Sequence, residues 1–335
     1  MIARPAIARP AIARLTIARL VIAISLLLLG ASALLLPWPP LAELSRTDPD
    51  LARLVLIELR LPRLLLALGY GATLGLTGAA LQALFANPLA SPDITGASSG
   101  AALGAVFGSY WLGLAGPFAL AAAGATGAGI ALALLLALAG RRADTATLLL
   151  AGLAISLAGG AATSLLLALA PSPFAFYDSF DWLMGSLVDR SLGQVAAALI
   201  PALIAGTLLA RHSDALDRLA LGEDVAASLG HDPRRLRLEV VGLSAIAVGA
   251  CVSVCGAVGF VGLVAPVAAR KLTAGHPGRA LLPAAVIGAL LLLAADLLTR
   301  FAPLGRVIPL GVVTATLGTP LFLLILRRMR WRLTP

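Results

Sequence analysis

Residues 64–92 read LLLALGYGATLGLTGAALQALFANPLASP, a run of consecutive positions without a charged side chain. A helix needs roughly 20 mostly apolar residues to cross the hydrocarbon core of a bilayer, so this run is long enough to span one. Further uncharged stretches cover 20–42, 94–140, 145–177, 191–210, 240–269, 280–295 and 307–326. The 94–140 stretch is long enough for two helices, with Gly116-Pro117 as the turn between them. The 240–269 stretch holds one full helix and then a shorter one, broken near Gly256–Gly262 and Pro266. The fold class is therefore all-α: a polytopic membrane protein with about ten transmembrane helices. An even number of crossings puts both termini on one side. Strands of a transmembrane barrel would alternate apolar and polar residues, and these runs do not.

Composition agrees. Hydrophobic residues make up 60% and charged residues 12% of the chain, with a mean hydropathy of +0.98. A soluble enzyme would lack the polar residues to cover its surface, and a disordered chain would be far less hydrophobic. The net charge of +9 would suggest nucleic acid on a soluble domain, but its distribution gives another cause. With the amino end placed in the cytoplasm, 18 Lys and Arg residues fall inside and 7 outside. That is the positive-inside asymmetry of a membrane protein. It supports cytoplasmic termini in the cell (inner) membrane and calls for lipid, not nucleic acid, as the partner.

The expected layout is a basic low-complexity tail at 1–15, one ten-helix domain at 16–328 and a basic cytoplasmic tail at 329–335. The first tail repeats Ile-Ala-Arg with a period of five, which matches neither helix nor strand. Ala31-Ser32-Ala33 resembles a signal-peptide cleavage site, but the apolar run continues through Leu34–Leu36, which favours a retained helix.

Chemistry-bearing residues are scarce. Cys251 and Cys255 lie four apart in an apolar run without metal-ligand spacing, so they read as packing residues and no metal site is expected. Gly96-Ala-Ser-Ser-Gly100 matches the nucleophile-elbow string, yet His212, His231 and His276 all fall in other loops. No catalytic residue is assigned. Asp296 lies one helical turn from Arg300, which suggests a structural pair, and Asp93 follows Pro92 at a helix start, where a carboxylate favours exposed amides. An ion-coupled secondary carrier would need titratable groups in its spans. These spans are nearly neutral, so the pathway lies here and the energy source elsewhere.

Two polar segments remain. The outer segment 171–190 carries Phe174, Phe176, Tyr177, Phe180 and Trp182, as expected of a helix lying at the membrane interface. The cytoplasmic segment 213–238 reads as helices Asp214–Leu221 and Glu223–Leu229, hinged at Gly222 and stopped by Gly230. Asp232 and Pro233 then start a third helix. Val225, Ala226 and Leu229 share one face that could dock in a partner's cleft.

Several strings together resemble the iron-chelate (FecCD-type) permeases of ABC importers, which include the cobalamin permease. They are Arg60-Leu-Pro-Arg63, Gly78 to Gln82, Asn87-Pro-Leu-Ala-Ser-Pro-Asp93 and Gly96 to Gly100, followed by Leu148 to Gly152, Trp182-Leu-Met-Gly-Ser-Leu187 and Leu219-Ala-Leu-Gly-Glu223 with Ser228-Leu-Gly230. Gly259-Phe-Val-Gly-Leu263, Leu293-Ala-Ala-Asp296 and Ile308-Pro-Leu-Gly-Val-Val-Thr314 complete the set.

The resemblance implies a dimer of permease subunits, identical or paralogous. It implies two cytoplasmic ATPases holding ATP-Mg, so that this chain binds no cofactor, and an outer substrate-binding protein. It makes Leu221, Gly222, Glu223, Ala226 and Leu229 ATPase-coupling residues. Arg60, Arg63 and Arg300 become binding-protein contacts, and Asn87, Leu89 and Thr145 an inner gate. The implied cargo is a ferric siderophore, toward which Ser91-Pro-Asp93 leans, with cobalamin or haem as alternatives. This sequence departs from the family pattern at Ala146, Val267 and Val307, where polar residues are usual.

Overall fold

Backbone polar groups inside a bilayer must be satisfied within their own segment, and every regular element among the described residues is helical. The computed structural model describes residues 25, 28–36, 38–114, 116–140, 144–300 and 308–330. The repeat at 1–15, Arg141, Arg142, Arg306, Val307 and residues 331–335 lie outside the described residues.

The helices are α1 (28–35), α2 (Trp38–Thr47), α3 (Pro49–Leu84), α4 (Ala97–Trp111), α5 (Pro117–Ala139), α6 (Thr145–Ala168) and α7 (Pro173–Leu183). They continue as α8 (Leu192–Ala210), α9 (Ser213–Leu219), α10 (Glu223–Ser228), α11 (Pro233–Cys255), α12 (Val261–Leu272), α13 (Leu281–Thr299) and α14 (Leu310–Arg330). Six of them, α3, α5, α6, α8, α11 and α13, are long and apolar enough to cross a membrane. The shorter α4 and α12, with 15 and 12 residues, occupy two further predicted spans, and α14 a third. Pro117 opens α5 at its first position, as the Gly-Pro turn predicts.

α3 is the central element and reaches further than its uncharged run. It begins at Pro49, so Asp50, Arg53, Glu58, Arg60 and Arg63 ride on one 36-residue helix. Residues Val55–Arg60 form a π-helical turn, a wider turn that recurs at functional sites.

α13 packs antiparallel along α3 through small residues, which let transmembrane backbones approach closely. A methyl group built at Gly71 would lie 2.5 Å from the Gly288 carbonyl oxygen. α12 crosses the same helix lower down. Pro266 lies inside α12 and has no N–H to offer the Gly262 carbonyl four residues back. Gly78 of α3 sits directly over that carbonyl, where a methyl group would overlap it.

This corrects one expectation. The chain breaks between Cys255 and Val261, with Gly256 at φ +74° and Phe260 at φ +65°, and Pro266 is no part of the break. The stretch after α7 fills the gap. Ser186 N donates to the Cys255 carbonyl at 2.8 Å, while Leu310 N and Gly311 N donate to Gly185 and Met184 at 3.0 Å each. The end of α11 and the start of α14 are thereby capped by one loop.

Candidate functional site

The antiparallel packing of α3 and α13 gathers polar residues at the two ends of the bundle. At one end Arg60 and Arg63, near the middle of α3, meet Arg300, which follows α13. Asp296, 2% exposed, stands between two of them: Arg63 Nε donates to Oδ1 at 2.7 Å, and Arg300 Nη2 donates to Oδ2 at 2.9 Å. Arg63 Nη2 also donates to Thr299 Oγ1 at 2.9 Å. The pairing expected from sequence was Asp296 with Arg300. The second partner lies 233 positions away in the chain, beyond the reach of any local spacing rule.

The same arginines hold α1. Arg60 Nη1 donates to the Leu34 carbonyl at 2.6 Å, and Arg300 Nη1 donates to the carbonyls of Ala33 and Leu36. Carbonyls at a helix C-terminus lack intrahelical donors, and cations are favoured there. All three predicted contact residues line one cavity of about 400 Å³, together with Ser186, Asp189 and Asp296. Arg300 is more enclosed than Arg63, with its side chain 7% exposed against 19%.

At the opposite end, α9 and α10 form the helical hairpin foreseen in sequence, each ending slightly sooner, at Leu219 and Ser228. Gly222 joins them at φ +114°, and Gly230 ends the pair at φ +85°, a backbone region open to glycine but strained for other residues. Asp232 caps α11 by accepting from the amides of Arg234 and Arg235.

The predicted docking face is corrected in one respect. Ala226 is fully buried, whereas Leu221, Val225 and Leu229 are 68%, 40% and 50% exposed. Ala226 seats α10 on the protein, and the three apolar side chains remain outside. Glu223 pairs with the buried Arg237 of α11. Arg218 donates to His231 Nε2 at 2.9 Å, and Gly278 N donates to Asp217 at 2.7 Å, fastening α9 to the 273–280 loop. The partners of Arg237, Asp217 and His231 were not legible in the sequence, because charged residues of a polar segment look alike until the segment is folded.

Asn87, Leu89 and Thr145 also fall at this end. Asn87 Oδ1 accepts from Leu89 N at 2.9 Å in an Asx turn just past α3. Thr145 opens α6 beneath Asp144, whose carboxylate accepts from Thr147 N at 2.7 Å. Hydrogen bonds from the Thr147 side chain and amide hold the Asp144 carboxyl below the usual carboxylate range. Phe85 and Ala90 of the turn and Leu148 of α6 belong to one buried cluster with Leu216 of α9 and Leu236 of α11. Asp93, expected at a helix start, lies in a short 3₁₀ turn and accepts from Ser98 Oγ at 3.0 Å. The hydroxyl of the elbow-like string is thus paired with a carboxylate. Among the described residues no group of three or more His, Cys, Asp or Glu could hold a metal ion.

The model of the FecCD transport family matches residues 17–328. This chain belongs to the FecCD transport family. The FecCD chain is 41% identical over 282 residues to the vitamin B12 import system permease of Vibrio cholerae, covering 81% of this chain and 82% of that protein. It is 35% identical over 275 residues to the Fe(3+)-citrate import system permease of Bacillus subtilis, covering 82% of each. A chain from a solved structure described as an inward-facing metal-chelate type ABC transporter superposes with a TM-score of 0.82 at 30% identity, covering 92% of this chain and 97% of that one. The FecCD protein is a transport permease, multi-pass in the inner (cytoplasmic) membrane.

Proposed function

We propose that this FecCD protein is the membrane-spanning subunit of an ATP-driven importer that carries a metal chelate inward, cobalamin in the first instance. The observation that carries this reading is the division of the molecule into an arginine-lined end and a hairpin end joined by nearly neutral helices. One end offers a cavity lined by Arg60, Arg63 and Arg300, suited to the acidic rim of an outer substrate-binding protein. The other offers an exposed apolar patch on a glycine-jointed hairpin, suited to the cleft of a cytoplasmic ATPase. In this reading the chain crosses the membrane ten times with both termini inside. It pairs with a second permease subunit to enclose the pathway and leaves ATP-Mg to its partners. Closure of the ATPases displaces the α9–α10 hairpin. The hairpin shares a buried cluster with Phe85 and Ala90, which flank the Asn87–Leu89 turn, and with Leu148 of α6, so its displacement reaches the inner gate.

The 41% identity to the Vibrio cholerae vitamin B12 permease favours cobalamin. The 35% identity to the Bacillus subtilis Fe(3+)-citrate permease supports a ferric chelate as the second reading. The test is ATP-dependent uptake into vesicles holding this chain with its ATPase and binding protein. Radiolabelled cobalamin should accumulate, and ferric citrate and ferric siderophores should not compete. Accumulation of an iron chelate alone would reverse the order, and uptake without ATP would overturn the proposal.

A further inference from the structure

We infer that Asp296 is a positioning residue for docking at the outer face: it holds Arg63 in the orientation in which Nη1 receives an acidic group of the binding protein, and it fixes Arg300 behind it. The inference rests on the proposed reading of the arginine cavity as the binding-protein dock. A guanidinium is a planar fork whose orientation decides which of its N–H groups face an incoming carboxylate. A free arginine side chain must lose rotamer freedom to hold one direction, and fixing it beforehand improves affinity.

Here the direction is fixed from below. Asp296 takes Nε of Arg63 on one oxygen and Nη2 of Arg300 on the other, and Thr299 takes Nη2 of Arg63. On Arg63 this leaves Nη1 for an incoming partner. Arg300 Nη1 is held by α1, and its Nε is buried without a partner among the described residues. Asp296 itself is 2% exposed. It therefore acts on an incoming protein through the arginines and not by contact.

The sign of its effect separates this role from simple electrostatics. Asp296 is the carboxylate paired with Arg63 and Arg300. Removing that charge makes the cavity more cationic, and by Coulomb attraction alone an acidic partner would then bind more tightly. A positioning role predicts the reverse.

The experiment titrates the purified substrate-binding protein of the same transporter onto the permease–ATPase complex in nanodiscs, with Asp296→Asn, Thr299→Val, Thr299→Ser and Arg60→Glu measured side by side. Asp296→Asn should weaken docking by about tenfold. Thr299→Val, which strands no charge and serves if Asp296→Asn assembles poorly, should weaken it measurably, and Thr299→Ser should restore it. Unchanged or tighter docking by both Asp296→Asn and Thr299→Val, beside a clear loss for Arg60→Glu, would overturn the inference and leave the dock in place. Unchanged docking by Arg60→Glu as well would overturn the dock itself.

Discussion

Glu223, in the first turn of α10, is ion-paired with Arg237, a buried residue of α11. The pair ties the outer arm of the hairpin to a membrane-spanning helix, and a force applied to α10 passes through it to α11. Glu223→Gln removes the charge and keeps the shape. With the carboxylate 58% exposed, its direct contribution to stability is about 1 kcal/mol or less. The protein should therefore fold and assemble, while substrate transported per ATP hydrolysed falls several-fold. Unaltered coupling in reconstituted vesicles would remove Glu223 from the transmission path.

The neighbouring apolar residues divide into two classes that one pair of substitutions separates. Leu221 is 68% exposed, so Leu221→Glu should change thermal stability by no more than about 0.5 kcal/mol. It should nevertheless reduce co-purification of the ATPase. Ala226 is fully buried, and Ala226→Leu forces extra methylenes into a filled site at a cost of about 1–3 kcal/mol. A lowered melting temperature with Ala226→Leu and an unchanged one with Leu221→Glu is the expected pattern. The opposite pattern would mean that α10 faces the other way.

Close helix approach gives a sharper stability contrast. Gly78→Ala drives a methyl group into the Gly262 carbonyl, a backbone atom that cannot swing aside. The expected loss exceeds about 2 kcal/mol, the range of overpacked cores. Gly242, inside α11, has open space where a methyl would go, and Gly242→Ala there should be neutral or favourable by up to about 1 kcal/mol. Thermal unfolding of the two purified variants in detergent measures the difference.

The apolar runs made most of the helices legible, because only a helix can hide its amides in lipid. Caps were legible as well: Asp232 before Pro233 and the Gly116-Pro117 turn are local signals that the structure repeats. What escaped was long-range. The uncharged run that opens at Leu64 did not show that α3 begins at Pro49, since a helix that leaves the bilayer can carry charge on its exposed turns. Pro266 read as a break. It lies inside α12, where Gly78, nearly two hundred positions earlier, packs over the carbonyl that the proline cannot bond. Ala226 shared a helical face with Val225 and Leu229 in sequence, but helical periodicity does not tell which side of that face meets the protein. The Arg63–Asp296 bond could not be read at all before α3 and α13 were known to be antiparallel.

The energy source is open to a direct test, because the membrane spans hold few candidates for a proton site. Asp296 is committed to two guanidiniums. Asp93 accepts from Ser98 Oγ, and its main-chain carbonyl accepts from Ser156 Oγ. A carboxylate that relays protons must exchange partners in each cycle, and a chain driven by ATP needs no such exchange. Asp93→Asn preserves an acceptor for Ser98 while removing any titration. Uptake by this variant should remain close to that of the unaltered protein. Uptake by the unaltered protein should in turn persist when a protonophore collapses the gradient and ATP is clamped. Loss of transport in both experiments would make Asp93 a proton site and the protein an ion-coupled carrier. Retention in both favours ATP hydrolysis by a partner as the driving reaction.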